Sequence, residues 1–310
     1  MSYSLVVVTW NCAERLRDLV ASLNRHLDGN QELVVVDNDS RDDPERAAQE
    51  WKGAAEFIAL DENVGFGAAS NRGTAVAGGE ATVLLNPDTE LLDDGLDRLA
   101  AEARELRALV GPRVLNADGS TQPSASGPEV GVWPWVRALT PAALQPYFVR
   151  ARTEPYRFER RLRVSWLTGA CIAGPTALLR ELGPFDPALH LFGEDIDLGL
   201  RAAARGVESW FDPTACRIVH HGQASSTLVY GSREGWRPTG TLNWRAAVRR
   251  AYGPRREQLA WLALRTNLRL RLIAKTLLAR ASDRDRAALD AARSAHPVPE
   301  LPPVDVRSID

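Results

Sequence analysis

The sequence predicts an α/β fold: a mostly parallel, Rossmann-like sheet with helices on both faces, followed by a helical C-terminal tail. Three observations carry this expectation. Short apolar runs alternate with segments of helical spacing through the first third of the chain. The runs are apolar throughout, as in strands buried on both faces. Polar clusters stop three of them: Thr9 with Asn11, Asp37 with Asn38, and Asn86 with Asp88. Ligands of open parallel sheets bind beyond the carboxyl ends of the strands, so these clusters are also the first functional clue.

The elements follow in order. Leu5 to Val8 reads as a buried strand and Thr9-Trp10-Asn11 as a turn. Leu16, Leu19, Val20, Leu23 and Leu27 share one helical face, and Gly29 ends that helix. Leu33 to Val36 is a second strand, stopped by Asp37-Asn38-Asp39-Ser40. A helix over 44–52 begins with Pro44 in its first turn. Residues 56–60 form a third strand, and Asn63-Val64-Gly65-Phe66-Gly67 turns into a helix over 68–77. The strand at 81–85 is halted by Asn86-Pro87-Asp88, and a helix over 92–106 and a strand over 108–110 follow.

From 116 to 164 prolines and aromatics mix, which predicts a long excursion with short helices; its 122–164 part is expected on the acceptor side. Residues 165–173 read as one buried strand, 193–206 as a helix, and Trp210-Phe211 and Ile218-Val219 as two short strands. Beyond 240 the chain is helical and basic. Residues 245–286 hold eleven arginines and Lys275 against three acids, a local charge of +9. The expected division is a catalytic unit over 1–230, a basic helical region over 231–295 and a disordered Pro-rich tail over 296–310.

Composition narrows the function. The 310 residues carry a net charge of -2, which gives no electrostatic case for nucleic acid. Cys12, Cys171 and Cys216 are odd in number and widely spaced. They form neither a disulfide framework nor a paired-cysteine metal site, which points to a reducing compartment. The N-terminus lacks a basic leader, and no window holds the roughly 18 uncharged apolar residues a membrane span needs. The expected location is cytoplasmic, free or peripheral on the membrane.

Three carboxylates crowd the start of the 193–206 helix, in Gly193-Glu194-Asp195-Ile196-Asp197. First-turn acids offset the helix dipole, which accounts for one or two of them. Asp197 and Arg201, at i and i+4, form a pair. Glu194 is either a first-turn acid or an acceptor contact, which leaves Asp195 as the candidate general base. Asp88 either caps the next helix or holds a divalent cation against a diphosphate. Asp37 either receives a nucleobase N–H or ribose hydroxyl, or closes an Asx-turn. His220 and His221 are either metal ligands or a solvated pair. Gly65-Phe66-Gly67-Ala68-Ala69-Ser70 departs from the dinucleotide fingerprint, with Ser70 at its last position and the third strand before it. That argues against a nicotinamide or flavin enzyme. The turn can still bring backbone to a nucleotide, with Asn71-Arg72-Gly73 offering a cation to phosphate.

Together these pieces resemble the family-2 glycosyltransferases of the GT-A fold, in particular the bacterial rhamnosyltransferase-like branch. The matching segments are Val6-Val7-Val8-Thr9-Trp10-Asn11, Val34-Val35-Val36-Asp37-Asn38-Asp39-Ser40, Asn63-Val64-Gly65-Phe66-Gly67 and Leu84-Leu85-Asn86-Pro87-Asp88. Asp118-Gly119-Ser120-Thr121-Gln122, Trp166-Leu167-Thr168-Gly169-Ala170, Phe185-Asp186, Glu194-Asp195-Ile196-Asp197-Leu198 and His220-His221-Gly222 continue the order, over about residues 3–226. The resemblance implies an inverting transferase that uses a dTDP- or UDP-sugar, with L-rhamnose the first expectation. It implies a cell-surface polysaccharide or polyprenyl-linked glycan as acceptor. Asp37 matches the nucleobase position, and Thr9, Asn11, Asn63, Gly65, Asn71, Arg72 and Asn86 fall on the donor side. Asp88 would hold Mg²⁺ or Mn²⁺ with His220 as the late ligand, Asp195 would be the base, and Glu194, Trp166 and Gly169 would face the acceptor. Asn86 replaces the first Asp of the usual Asp-x-Asp motif, and Pro187 stands where an acid is usual.

Two questions stay open. The basic tail, with Leu259, Trp261, Leu262, Leu268, Leu272, Ile273 and Leu277 as an apolar stripe, either docks on anionic lipid or packs on the catalytic unit. The same fold could also serve as an inactive sugar-nucleotide or glycan-binding module, or as a sugar nucleotidyltransferase. The last would want a Gly- and Lys/Arg-rich loop where Thr9-Trp10-Asn11-Cys12-Ala13 stands.

Overall fold

The computed structural model describes residues 3–141, 144–222, 237–278, 280–293 and 297–301. Strand β1 (Tyr3–Thr9) lies between β2 (Glu32–Asp37) and β4 (Ala81–Leu85), parallel to both, and β3 (Ala55–Ala59) is the parallel edge beside β2. Beyond β4 comes β10 (Cys171–Pro175), antiparallel both to β4 and to β6 (Leu109–Leu115). Strand β11 (Ser209–His220) runs parallel to β6 and pairs antiparallel with β5 (Thr89–Leu91) and β8 (Leu162–Val164). The nine-stranded order is β3-β2-β1-β4-β10-β6-β11-β5, with β8 on β11. Six strands share one direction, and their carboxyl ends form one rim.

The apolar strands split the core by alternation, because successive side chains leave opposite faces. Leu5, Val7, Leu33 and Val35 face one way, onto Leu16, Leu19, Val20 and Leu23 of α1 (Ala13–His26), α2 (Pro44–Gln49) and α4 (Leu96–Leu106). Val6, Val8, Val34 and Val36 face the other way, onto Ala69 of α3 (Phe66–Val76), Leu179 and Leu182 of α7 (Thr176–Leu182) and Leu198 of α8 (Glu194–Ala204). Both faces are therefore covered, as the uninterrupted apolar runs require.

The structure corrects four local expectations. The helix expected from residue 92 starts at Leu96, because 89–91 pair with β11 as a strand. The run at 165–173 is two strands: β9 (Trp166–Leu167) leaves the main sheet to pair with β7 (Ala125–Ser126), and only Cys171–Pro175 joins it. Conversely, Trp210-Phe211 and Ile218-Val219 are two ends of β11, which is irregular between Asp212 and Arg217. Edge strand β3 is only partly buried.

The excursion forms α5 (Trp133–Leu139), α6 (Tyr147–Thr153) and a short 3₁₀ turn at Pro155–Arg157. At the C-terminus, α9 (Arg237–Tyr252), α10 (Pro254–Leu277) and α11 (Asp283–Ala291) follow. Ala247 and Val248 of α9 and Ala260 of α10 pack on Leu200 of α8, with Ile196, Trp244 and Val130 around them. Glu257 is fully buried between Arg245, at 2.6 Å, and Arg249, at 3.0 Å, and ties α10 to α9. The basic region thus packs on the α/β unit through its first two helices. Among the described residues no helix is long and apolar enough to cross a membrane. The expected boundary at 230/231 lies outside the described residues, as does most of the 296–310 tail. The three cysteines are buried and unpaired.

Candidate active site

The rim of carboxyl ends gathers the predicted residues into three connected parts. The first lies where β4 ends. Asn86 N–H donates to the Ala170 carbonyl at 3.1 Å, and the Asn86 carbonyl accepts from the Thr89 hydroxyl at 2.7 Å. Antiparallel pairing sets His220 opposite Thr89, one residue after Asp88. His220 Nε2 then lies 3.2 Å from Asp88 Oδ1, and the His221 N–H donates to the Asp88 carbonyl at 2.9 Å. Asp88 therefore caps no helix; α4 begins eight residues later. Burial pushes the Asp88 carboxyl up, but the hydrogen bond and charge of His220 outweigh it and hold the group below the usual carboxylate range. His221 is engaged elsewhere, 2.7 Å from Glu90 Oε1.

The other ring nitrogen of His220 is 2.8 Å from Gln122 Oε1, and Asn86 Nδ2 stands 3.3 Å from Nε2. With Gln122 Oε1 accepting from Nδ1–H, His220 Nε2 would ligate a cation beside Asp88 once it gave up the proton it shares with that carboxylate, the arrangement typical of metal-ligating histidines. Among the described residues no group of three or more His, Cys, Asp or Glu side chains gathers. Two donors, Asp88 Oδ1 and His220 Nε2, still fit Mg²⁺ or Mn²⁺, which take few protein ligands and complete their shell with phosphate oxygens and water. Gln122 was not singled out from sequence as a site residue; its partner lies 98 residues away.

The second part laces the ends of β1, β2 and β3. The Thr9 carbonyl accepts from Asn38 N–H at 2.9 Å, and the buried Thr9 hydroxyl contacts Cys12 Sγ at 3.3 Å. Asn11, left-handed at φ 50°, donates its N–H to Ser40 Oγ at 2.9 Å and accepts from Arg41 N–H at 2.8 Å. Asp37 accepts from Ser40 N–H, three residues on, at 3.2 Å, so its carboxylate closes the turn after β2 one residue wider than an Asx-turn, on the rim. Asn63 Oδ1 joins Asn38 Nδ2 at 2.9 Å to Gly65 N–H at 3.0 Å. Gly65 has φ 88°, and a Cβ there would lie 2.7 Å from His190, so no larger residue fits. Asn71 spends both ends of its amide on the backbone of Phe185, at 2.7 and 3.0 Å. That role tethers the loop before α8; it does not present the amide to a ligand. Arg72 is exposed beside it on α3.

The third part is the start of α8. Asp195 Oδ2 accepts from Gly169 N–H at 3.1 Å and Oδ1 from Ile196 N–H at 2.8 Å. The break between β9 and β10 supplies this donor, and Gly169 also faces Phe66, which a Cβ would meet at 3.5 Å. Burial pushes the Asp195 carboxyl up, against the pull of the two backbone donors. Glu194 is buried, its Oε2 has no hydrogen-bond partner among the described residues, and burial and the neighbouring Asp195 push it up to about 8. Asp197 pairs with Arg201 at 2.6 Å, as its spacing predicts, and also with Arg250 of α9. Trp166 donates to Glu129 Oε1 at 2.7 Å, while Trp244 of α9 takes Glu129 Oε2 at 2.9 Å. Glu129, Asn243 and Arg250 escaped the sequence reading because their partners are remote in the chain.

Comparison with known proteins bears on the family and the fold. Residues 4–182 fit the family model described as glycosyl transferase family 2. The chain is 31% identical over 242 residues to an N-acetylglucosaminyl-diphospho-decaprenol L-rhamnosyltransferase of Mycobacterium tuberculosis, covering 72% of this chain and 76% of that one. The mannosyltransferase PcManGT from Pyrobaculum calidifontis, solved with GDP-Man and Mn²⁺, superposes with a TM-score of 0.57 at 17% identity, over 94% of this chain and 85% of that one. GalNAc-T7, solved with UDP, GalNAc and Mn²⁺, gives 0.57 at 20% identity over 80% of this chain, which spans about half, 48%, of that longer chain. The matched segment holds the Asn86-Pro87-Asp88 rim but ends before Asp195 and His220, which the fold brings to it. With a GT-A sheet, a family match over more than half its length and a rhamnosyltransferase among its relatives, the chain belongs to glycosyl transferase family 2, on its rhamnosyltransferase-like side.

Proposed function

We propose that the chain transfers a sugar, with inversion, from a nucleotide-diphosphate donor to a glycan hydroxyl, with Asp195 as general base. One observation carries this reading: adjacent residues of one short segment touch both halves of the site. Gly169 N–H holds Asp195 and the Ala170 carbonyl holds Asn86, beside the Asp88–His220 pair. The base and the diphosphate site are therefore two ends of one wall.

Each Asp195 oxygen has one N–H donor and keeps lone pairs for the acceptor hydroxyl. As the hydroxyl attacks the anomeric carbon, its proton passes to the Asp195 carboxylate. Attack opposite the leaving diphosphate inverts that carbon. Asp88 and His220 would hold the divalent cation, which when bound neutralises charge building on the diphosphate. Asp37, with Thr9 and Asn11 framing its turn, would receive the base or ribose, and Arg72 would add positive charge on the donor side. The named activity of the mycobacterial relative makes L-rhamnose the first sugar to try, offered as dTDP-rhamnose, and a polyprenyl-diphosphate glycan the first acceptor. Asp195→Asn should retain donor binding and lose transfer by roughly a hundredfold or more. Near-wild-type transfer by that variant would refute the base assignment.

Peripheral membrane contact is proposed through α10 alone. Arg245, Arg249 and Arg250 are engaged inside the protein. Trp261 sits under Arg245 at 4.4 Å, off the exposed stripe. The exposed stripe is Leu259, Leu262, Leu270, Ile273 and Leu277, at helical spacing. Arg255, Arg256, Arg269 and Arg271 are exposed on the same helix, whose one acid, Glu257, is buried. Aliphatics flanked by cations suit an anionic lipid surface. Leu262→Glu combined with Ile273→Glu should abolish co-sedimentation with phosphatidylglycerol vesicles; undiminished binding would exclude this face.

A further inference from the structure

We infer that α9, which lies beyond the family-matched segment, is a positioning element for the base, and that Asn243 is its key residue. The inference rests on the reading of Asp195 as base. Two consecutive left-handed residues, Phe192 at φ 65° and Gly193 at φ 92°, stand three and two positions before Asp195. That conformation is unfavourable for a bulky L-residue and persists only where its surroundings impose it. Asn243 supplies the constraint. It is 8% exposed, and its Nδ2 donates to the Leu191 carbonyl at 3.2 Å and to the Phe192 carbonyl at 2.7 Å. A Cβ on Gly193 would lie 2.7 Å from Asn243 Cβ, so α9 rests directly on the turn.

Two turns further along α9, Arg250 clamps the same segment from both ends. It contacts Asp186 in the loop before α8 at 2.5 Å, and Asp197 inside α8. Arg201 reaches Asp197 and the carbonyls of Leu182 and Pro184 from within α8. The residues on either side of Asp195 are thus fixed by one helix. The Ile196 N–H that Asp195 accepts is local and survives a shift of the loop. The Gly169 N–H belongs to another segment and does not. Asn243 touches neither donor nor acceptor in this scheme; it acts through the loop.

The test compares Asn243→Leu, which keeps the shape and removes the donor, with Asn243→Gln, which keeps an amide donor. Two readouts are taken on the full chain: backbone amide exchange, and steady-state release of dTDP from dTDP-rhamnose with Mn²⁺ and N-acetylglucosaminyl-diphospho-polyprenol as the acceptor. Asn243→Leu should speed exchange over residues 191–196 while β1 to β4 stay protected. It should lower kcat by roughly 10- to 100-fold with donor KM within about twofold, and Asn243→Gln should recover part of that loss. Unchanged exchange over 191–196, an unchanged kcat, or a loss confined to KM would overturn the inference. If wild-type chain turns over no nucleotide sugar, the glycosyl-transfer reading fails, and exchange alone then decides whether Asn243 fixes the turn.

Discussion

At the scale of single residues, Glu194 is an acid of the candidate site that burial shifts upward. Its carboxyl is pushed from 4.5 up to about 8 by burial, then by the Asp195 charge beside it. A raised acid makes a definite prediction about stability. The folded chain keeps a proton that the unfolded chain releases once pH passes 4.5. The resulting stabilisation is complete below that value and is lost as pH rises toward 8. Glu194→Gln, which cannot ionise, should therefore match wild type in thermal stability near pH ~5 and exceed it by several degrees near pH ~8. An equal loss at both pH values would show that the carboxyl is charged and paired. Asp195 and Asp197 were separable from sequence because Asp197 has Arg201 one turn away, a pairing set by helix geometry alone. Gln122 and Asn243 were not, because each acts on a partner that only the completed fold brings near.

At the scale of elements, uninterrupted apolar strands were legible because burial on both faces leaves no room for a polar alternation. Residues 165–173 were not: an apolar run does not show where the chain changes sheets, and Gly169 was the one mark of the break. Strand β5 was hidden for a related reason. Its three residues have no periodicity, and it exists because β11 offers an edge. The basic tail was legible as helix but not as a packed hairpin. Glu257 decides that point, since a fully buried acid between two arginines fixes the α9–α10 angle. Removing its charge leaves two guanidiniums uncompensated, so Glu257→Gln should cost about 3–5 kcal/mol. Denaturant unfolding measures this. A cost under about 1 kcal/mol would mean that water reaches the triad.

At the scale of the whole molecule, the parallel rim and the antiparallel insertion do different work. The parallel strands β1 and β2 end at Thr9 and Asp37, and β4 ends one residue before Asn86, so three residues proposed for the donor side stand at strand ends, as the sequence places them. The later strands add what the first half lacks. Strand β11 delivers His220 to Asp88, and the β9–β10 break delivers Gly169 to Asp195. Helix α9 then closes over the loop that presents Asp195. In the proposed function, this composite rim holds a nucleotide-diphosphate sugar through a cation on Asp88 and His220. Calorimetric titration of dTDP-rhamnose into wild type, Asp88→Ala and Asp195→Asn, with and without Mn²⁺, tests it most directly. Mn²⁺-dependent binding is expected for wild type and Asp195→Asn and its loss for Asp88→Ala; equal donor affinity in all three, with or without Mn²⁺, would exclude a cation site on this rim.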